Sequence, residues 1–315
     1  MEALFLSVAK LFSLIALGFI CYRLNFLPRN TLKVFSFALI NIAIPSLIFS
    51  NIVNSFDPEG YFLPLLFFVL SIAFFALGLI LALCFSARLK KKVKKEFLSL
   101  VSFQNCGYLP MNLALFLFSS GAQREQFLNY VFLYLLGFNL LIWSIASYLI
   151  FKEKGDSFNY RSLFTPPVIS VIAALIFVYS NKVDLLPGVF IDTLSLVGKV
   201  AFFLSMFVLG GWLAASRIKV RSQLLVLLRA NFIKLILLPL ITIFIVVNFK
   251  IYSLLGLFLV IQASMPAAAS LPIVADLRGG NREFISRGVF LSHVLSIITI
   301  PFWIKLFLTF SNFSL

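Results

Sequence analysis

Two short stretches concentrate polar and helix-breaking residues inside otherwise apolar sequence: SFQNCGYLP at 102–110 and QASMPAAASLP at 262–272. Each joins proline, small residues and an amide. Proline lacks the N–H a helix needs and frees a carbonyl one turn earlier. In lipid, freed backbone groups must be met by protein, water or a ligand. Half-helix N-termini bring unpaired N–H groups and a partial positive charge, which suit a carboxylate. The side chains of Gln104, Asn105, Gln262 and Ser270 add hydrogen-bond donors. Gln104, Asn105, Pro110, Gln262, Pro266 and Ser270 are therefore the candidate substrate-binding residues. The plainer alternative is a pair of proline kinks, since proline is common in membrane helices.

Ionisable residues inside apolar helices are functional candidates by default. Lys10, Lys199, Lys234, Arg229 and His293 lie in such helices, and Asp276 lies at the inner end of one. Arg229 is close enough to an end to snorkel. Lys234 fits either helix–helix pairing or site electrostatics. His293, the only histidine, fits either packing or a proton relay. Lys234, His293 and Asp276 are thus the candidates for coupling or supporting charge. No acid lies deep in a helix, and a pathway without fixed anions favours an anionic substrate over a cation. Cys21, Cys84 and Cys106 are odd in number and far apart, which points to neither a disulfide framework nor a metal site. No cofactor and no metal are expected. With one histidine and few helix acids, no catalytic residue is expected either. No phosphate-binding loop motif marks the chain as a nucleotide-driven pump.

The elements that hold these residues must be membrane helices. Of 315 residues, 62% are hydrophobic and 12% charged, and 39 are phenylalanine. Soluble domains are roughly 45–50% apolar and about 25% charged. A spanning helix needs about 20 apolar residues. Ten such spans are predicted at about 4–22, 34–54, 61–87, 97–119, 127–151, 163–180, 192–215, 223–247, 253–276 and 287–310. The first is expected to be a retained helix, because no small-residue cleavage site follows it.

Basic residues test that count. Connections after the odd-numbered spans carry nearly all the Lys and Arg outside helices, including the run RLKKKVKKE at 88–96. The alternate connections hold only Arg124, Lys182 and Lys250. A missed or false helix would invert every later loop. The positive-inside rule then puts both termini outside the cytoplasmic membrane. The net charge of +15 accordingly sets topology and meets membrane lipid at the 88–96 run. It does not mark a nucleic-acid partner, which would need a solvated basic face.

A faint internal repeat aligns ALGFICYRLNFLP at 16–28 with LIFVYSNKVDLLP at 175–187. It divides one transporter domain, 1–315, into halves at about 1–151 and 161–315. Five spans per half makes the halves inverted, a recurrent feature of secondary transporters. The two proline-bearing stretches then fall in the fourth span of each half. The expected fold class is an all-α integral membrane protein of ten transmembrane helices. These form two inverted five-helix repeats, with broken crossing helices in the fourth and ninth spans.

The chain resembles the auxin efflux carrier family, whose bacterial members include malate and malonate permeases. The matching segments run from end to end in the family's order: GFICYRLNFLP at 18–28, NIAIPSLIF at 41–49, SFQNCGYLP at 102–110, KLILLP at 234–239, QASMPAAASLP at 262–272 and SHVLSIITIP at 292–301. The resemblance implies an elevator-type secondary carrier of a small organic anion. Its substrate site would lie where the fourth and ninth helices unwind, with Asn105 and a polar residue after Pro266 as contacts. Ser270 stands where many relatives have Asn. The proline often found in the seventh helix is absent, with Phe203 near its place, and so is the long hydrophilic loop of the long plant carriers. The resemblance also allows a homodimer and favours a bacterial-type carrier. An anion channel or a ligand sensor on the same scaffold is the alternative function, and flux measurements separate them.

Overall fold

A computed structural model describes residues 2–57, 62–87, 89–118, 121–142, 150–151, 164–215, 223–277 and 279–311. Among them helices form α1 (Glu2–Arg23), α2 (Arg29–Ala38), α3 (Ile44–Ser55), α4 (Leu63–Cys84), α5 (Lys91–Ser102), α6 (Tyr108–Leu117) and α7 (Ala122–Leu140). The second part of the chain forms α8 (Pro166–Tyr179), α9 (Gly188–Ala215), α10 (Leu224–Phe232), α11 (Leu238–Asn248), α12 (Leu254–Ser264), α13 (Leu271–Leu277) and α14 (Arg282–Ser311). The only extended pairing among the described residues is an isolated antiparallel bridge between Gln104 and Ala267.

Five helical stretches are long and apolar enough to cross a membrane: Arg29–Ser55, Leu63–Cys84, Gly188–Ala215, Leu224–Asn248 and Arg282–Ser311. Shorter apolar helices cover Tyr108–Leu117, Pro166–Tyr179 and Leu254–Ser264. The protein is therefore an all-helical, multi-pass membrane protein. Two of the long stretches are continuous only through a π-helical turn, at Leu39–Ala43 and at Ile233–Leu237. Pro45 and Pro239 follow those turns after a single residue. Proline has no N–H to continue the ladder, and one wider turn just before it lets the helix resume without ending.

The fourth and ninth predicted spans are where the structure departs most from continuous helices. The fourth is α5 and α6 separated by non-helical residues 103–107, and the ninth is α12 and α13 separated by 265–270. The first break lies ahead of Pro110, which instead occupies the first turn of α6, where its missing N–H would have no helical partner anyway. Part of the 88–96 run is helix and not loop, since α5 starts at Lys91. Lys and Glu are good helix formers, so a basic anchor can also be a helical first turn.

The helices fall into two packed groups. In one, α1 lies along α9, and α3 packs on α8 and α9. In the other, α4 packs on α5 and α7, α11 on α12, and both α12 and α13 on α14. Small residues allow the closest approach. A Cβ at Gly18 would overlap the Phe207 carbonyl, and one at Gly210 would overlap the Ile15 carbonyl. Reciprocal glycines of this kind let membrane helices pack backbone to backbone.

Candidate functional site

The two breaks are tied to each other. Asn105 N–H donates to the Pro266 carbonyl at 2.8 Å, and Ala268 N–H donates to the Phe103 carbonyl at 3.0 Å. Unwound backbone buried away from water needs such partners, and each break supplies half of the other's. What remains is met by side chains. Gln262 Nε2 donates to the Cys106 carbonyl at 3.1 Å, and the Ala267 N–H donates to Ser292 Oγ at 3.2 Å. Lys234 Nζ donates to the Val101 carbonyl at 2.9 Å. Val101 lies in the last turn of α5, where carbonyls lack helical donors and the helix end carries partial negative charge. The buried amino group therefore caps a helix that ends inside the protein.

One face of this crossing opens on a cavity of about 300 Å³. Gln104, Asn105, Gly107, Tyr108 and Ser270 lie on the wall nearest the breaks. The opposite wall comes from the other helix group, through Ile40, Ile44, Val208, Leu209 and Trp212. The cavity thus lies between the two groups. It is mostly apolar, and no charged side chain lines it among the described residues. Such a cavity, apolar with a few convergent polar groups, is the usual form of a small-molecule site.

Several polar wall residues are held. Gln104 Nε2 donates to the Tyr134 hydroxyl at 2.6 Å. Asn105 Nδ2 lies 3.2 Å from His293 Nε2, and His293 Nδ1 lies 2.7 Å from the Val289 carbonyl. Across the cavity Trp212 Nε1 donates to Ser36 Oγ at 2.9 Å. Ser270 starts α13, its carbonyl accepting from the N–H groups of Ile273 and Val274.

The sequence-derived candidates therefore separate into three kinds. Gln104, Asn105 and Ser270 face the cavity. Pro266, Gln262 and Lys234 hold the breaks from behind, and Pro110 shapes the start of α6. His293 stands behind Asn105. The side chain of Asp276 lies outside the described residues. Sequence reading missed Tyr134, Ser292, Trp212 and Ser36. Nothing in one dimension marks a tyrosine or serine on an apolar helix as the partner of an amide 30 residues away or of an indole 176 residues away.

A family model described as membrane transport protein matches residues 3–304. The chain belongs to that family. This is the auxin efflux carrier family that the six segments resemble. No curated protein matches the chain. For a membrane transport protein, a cavity between two helix groups with unwound backbone in its wall is a site where a small molecule can be held without covalent chemistry. The helix ends at Tyr108 and the side chains of Asn105 and Gln104 supply direction, and the apolar walls supply contact area.

Proposed function

We propose that this membrane transport protein is a secondary carrier of a small organic anion, a carboxylate with an apolar body, bound in the cavity between the two helix groups. One observation carries the reading: the paired breaks 103–107 and 265–270 form one wall of that cavity, and the other helix group forms the opposite wall. Neutral donors and a helix start suit a carboxylate, and the apolar remainder suits a hydrocarbon or aromatic body better than a second charge. Ten spans in two inverted repeats, both termini outside a bacterial inner membrane, complete the proposal. Alternating access would be elevator-like, with α4–α7 and α10–α14 moving as a unit against α1–α3, α8 and α9.

The test is uptake into proteoliposomes. Labelled indole-3-acetate, malonate and L-malate are supplied at graded concentrations, with counterflow from preloaded vesicles. Saturable uptake and counterflow are expected, with indole-3-acetate preferred over L-malate. Non-saturating conductance would assign a channel, and binding without flux would assign a sensor.

A further inference from the structure

The hydrogen bonds around His293 fix which face of the Asn105 amide meets the cavity. The Val289 carbonyl can only accept, so His293 Nδ1, 2.7 Å away, carries a proton. In the neutral ring Nε2 then carries a lone pair. It accepts from Asn105 Nδ2 at 3.2 Å, which leaves Asn105 Oδ1 without a protein donor among the described residues. Turning the amide over would set Oδ1 against the Nε2 lone pair. A carboxylate arriving in the cavity therefore meets an acceptor oxygen beside no more than one N–H at the residue best placed to donate. The neutral arrangement and the proposed substrate match poorly.

A proton on Nε2 resolves the mismatch. Protonated Nε2–H donates, so Asn105 Oδ1 rotates toward the ring and its two N–H groups turn to the cavity. The imidazolium also places a positive charge one side chain behind the carboxylate, where a buried anion otherwise lacks a counter-charge. We propose that His293 is the positioning residue of the site. Its protonation turns the Asn105 amide from acceptor to donor, so that each carboxylate is bound together with one proton. The balance is simple: one proton passes from water through the cavity to Nε2, the amide rotates about its terminal torsion, and no covalent bond other than N–H forms or breaks. The inference rests on the carboxylate reading of the cavity.

Other charges do not take this role. Titratable groups with described side chains on the helices packed against α14 are Lys10, Cys21, Tyr22 and Arg23 on α1, Lys94, Lys95 and Glu96 on α5, Asp192 and Lys199 on α9, and Arg229 on α10. Lys234 lies in the turn after α10, Asp276 on α13, and Arg282, Glu283, Arg287 and Lys305 on α14 itself. Lys234 is directed to Val101, Glu96 accepts from Asn281 N–H at 2.9 Å, and Arg287 pairs with Glu283. The hydrogen bonds of the imidazole run to Val289 and Asn105.

The experiment is calorimetric titration of the purified protein with indole-3-acetate and L-malate in two buffers of different ionisation enthalpy. It is run between about pH 6 and pH 8, where free carboxylates are ionised. Uptake of about one proton per ligand is expected. By linkage, affinity falls by up to about tenfold per unit rise in pH. A ligand still bound by His293→Gln should bind with no proton uptake and a flat pH profile. Binding to wild type without proton uptake overturns the proposal, as does uptake that persists in His293→Gln. Should that variant not fold, His293→Asn is titrated in its place, with the same outcomes expected and the same outcomes overturning the proposal. Failure of wild type to bind either carboxylate is a different result: it removes the substrate class, and this inference with it.

Discussion

The backbone N–H of Asn105 donates to the carbonyl of Pro266 across 161 positions of sequence, at 2.8 Å. That bond joins the fourth and ninth predicted spans at the point where both stop being helices. It also places the Asn105 side chain on the cavity wall with its backbone N–H already satisfied, so the side-chain amide can serve a ligand and His293.

Asn105→Ala should weaken carboxylate binding by about 1–3 kcal/mol, the usual cost of losing a hydrogen bond to a charged partner. The fold should survive, because the bond to Pro266 uses only backbone. Affinity for the carboxylate panel and the thermal midpoint, measured together, check this. Unchanged affinity for a transported ligand removes Asn105 as a contact.

Ser292→Ala should destabilise the protein by about 1–3 kcal/mol, because it leaves the buried Ala267 N–H without an acceptor. Ser292 is buried and does not line the cavity, so the loss should show in the thermal midpoint more than in ligand affinity. An unshifted midpoint would mean that another group meets Ala267.

Ala269→Trp places a large side chain into the cavity, whose wall includes Ala269. Binding and uptake should both be lost while helical content by circular dichroism stays unchanged. Full uptake by this variant would locate the substrate elsewhere.

Gly210→Leu should prevent α1 and α9 from packing, because a Cβ there already overlaps the Ile15 carbonyl. The expected cost is at least that of ordinary core overpacking, about 1–3 kcal/mol. Size-exclusion profiles in detergent would report it as aggregation, and a monodisperse, stable variant would contradict the close approach.

Single cysteines placed in a cysteine-free background at 88–96 should be labelled only from the cytoplasm, and those at either terminus only from outside. A cytoplasmic C-terminus would overturn the count of ten spans.

The sequence by itself determined the solvent. An apolar excess with basic residues confined to alternate connections leaves no arrangement but a multi-pass helical membrane protein, and the order of six segments carries the family. It also marked where helices would break, because proline and clustered small polar residues act locally, within a turn of where they stand. What it misplaced was the detail of the break: Pro110 marks the restart of a helix and not its interruption. Pairing was decided only in three dimensions. Lys234 reads as a charge in lipid, and only the fold shows it capping the Val101 carbonyl. Gln262 reads as a ligand contact, and the fold turns it toward Cys106. Asn105 and His293 lie 188 residues apart, and nothing local links them. Hydrogen bonds act over about 3 Å, so which polar groups satisfy one another, and which are left to face a ligand, depends on packing between helices distant in sequence.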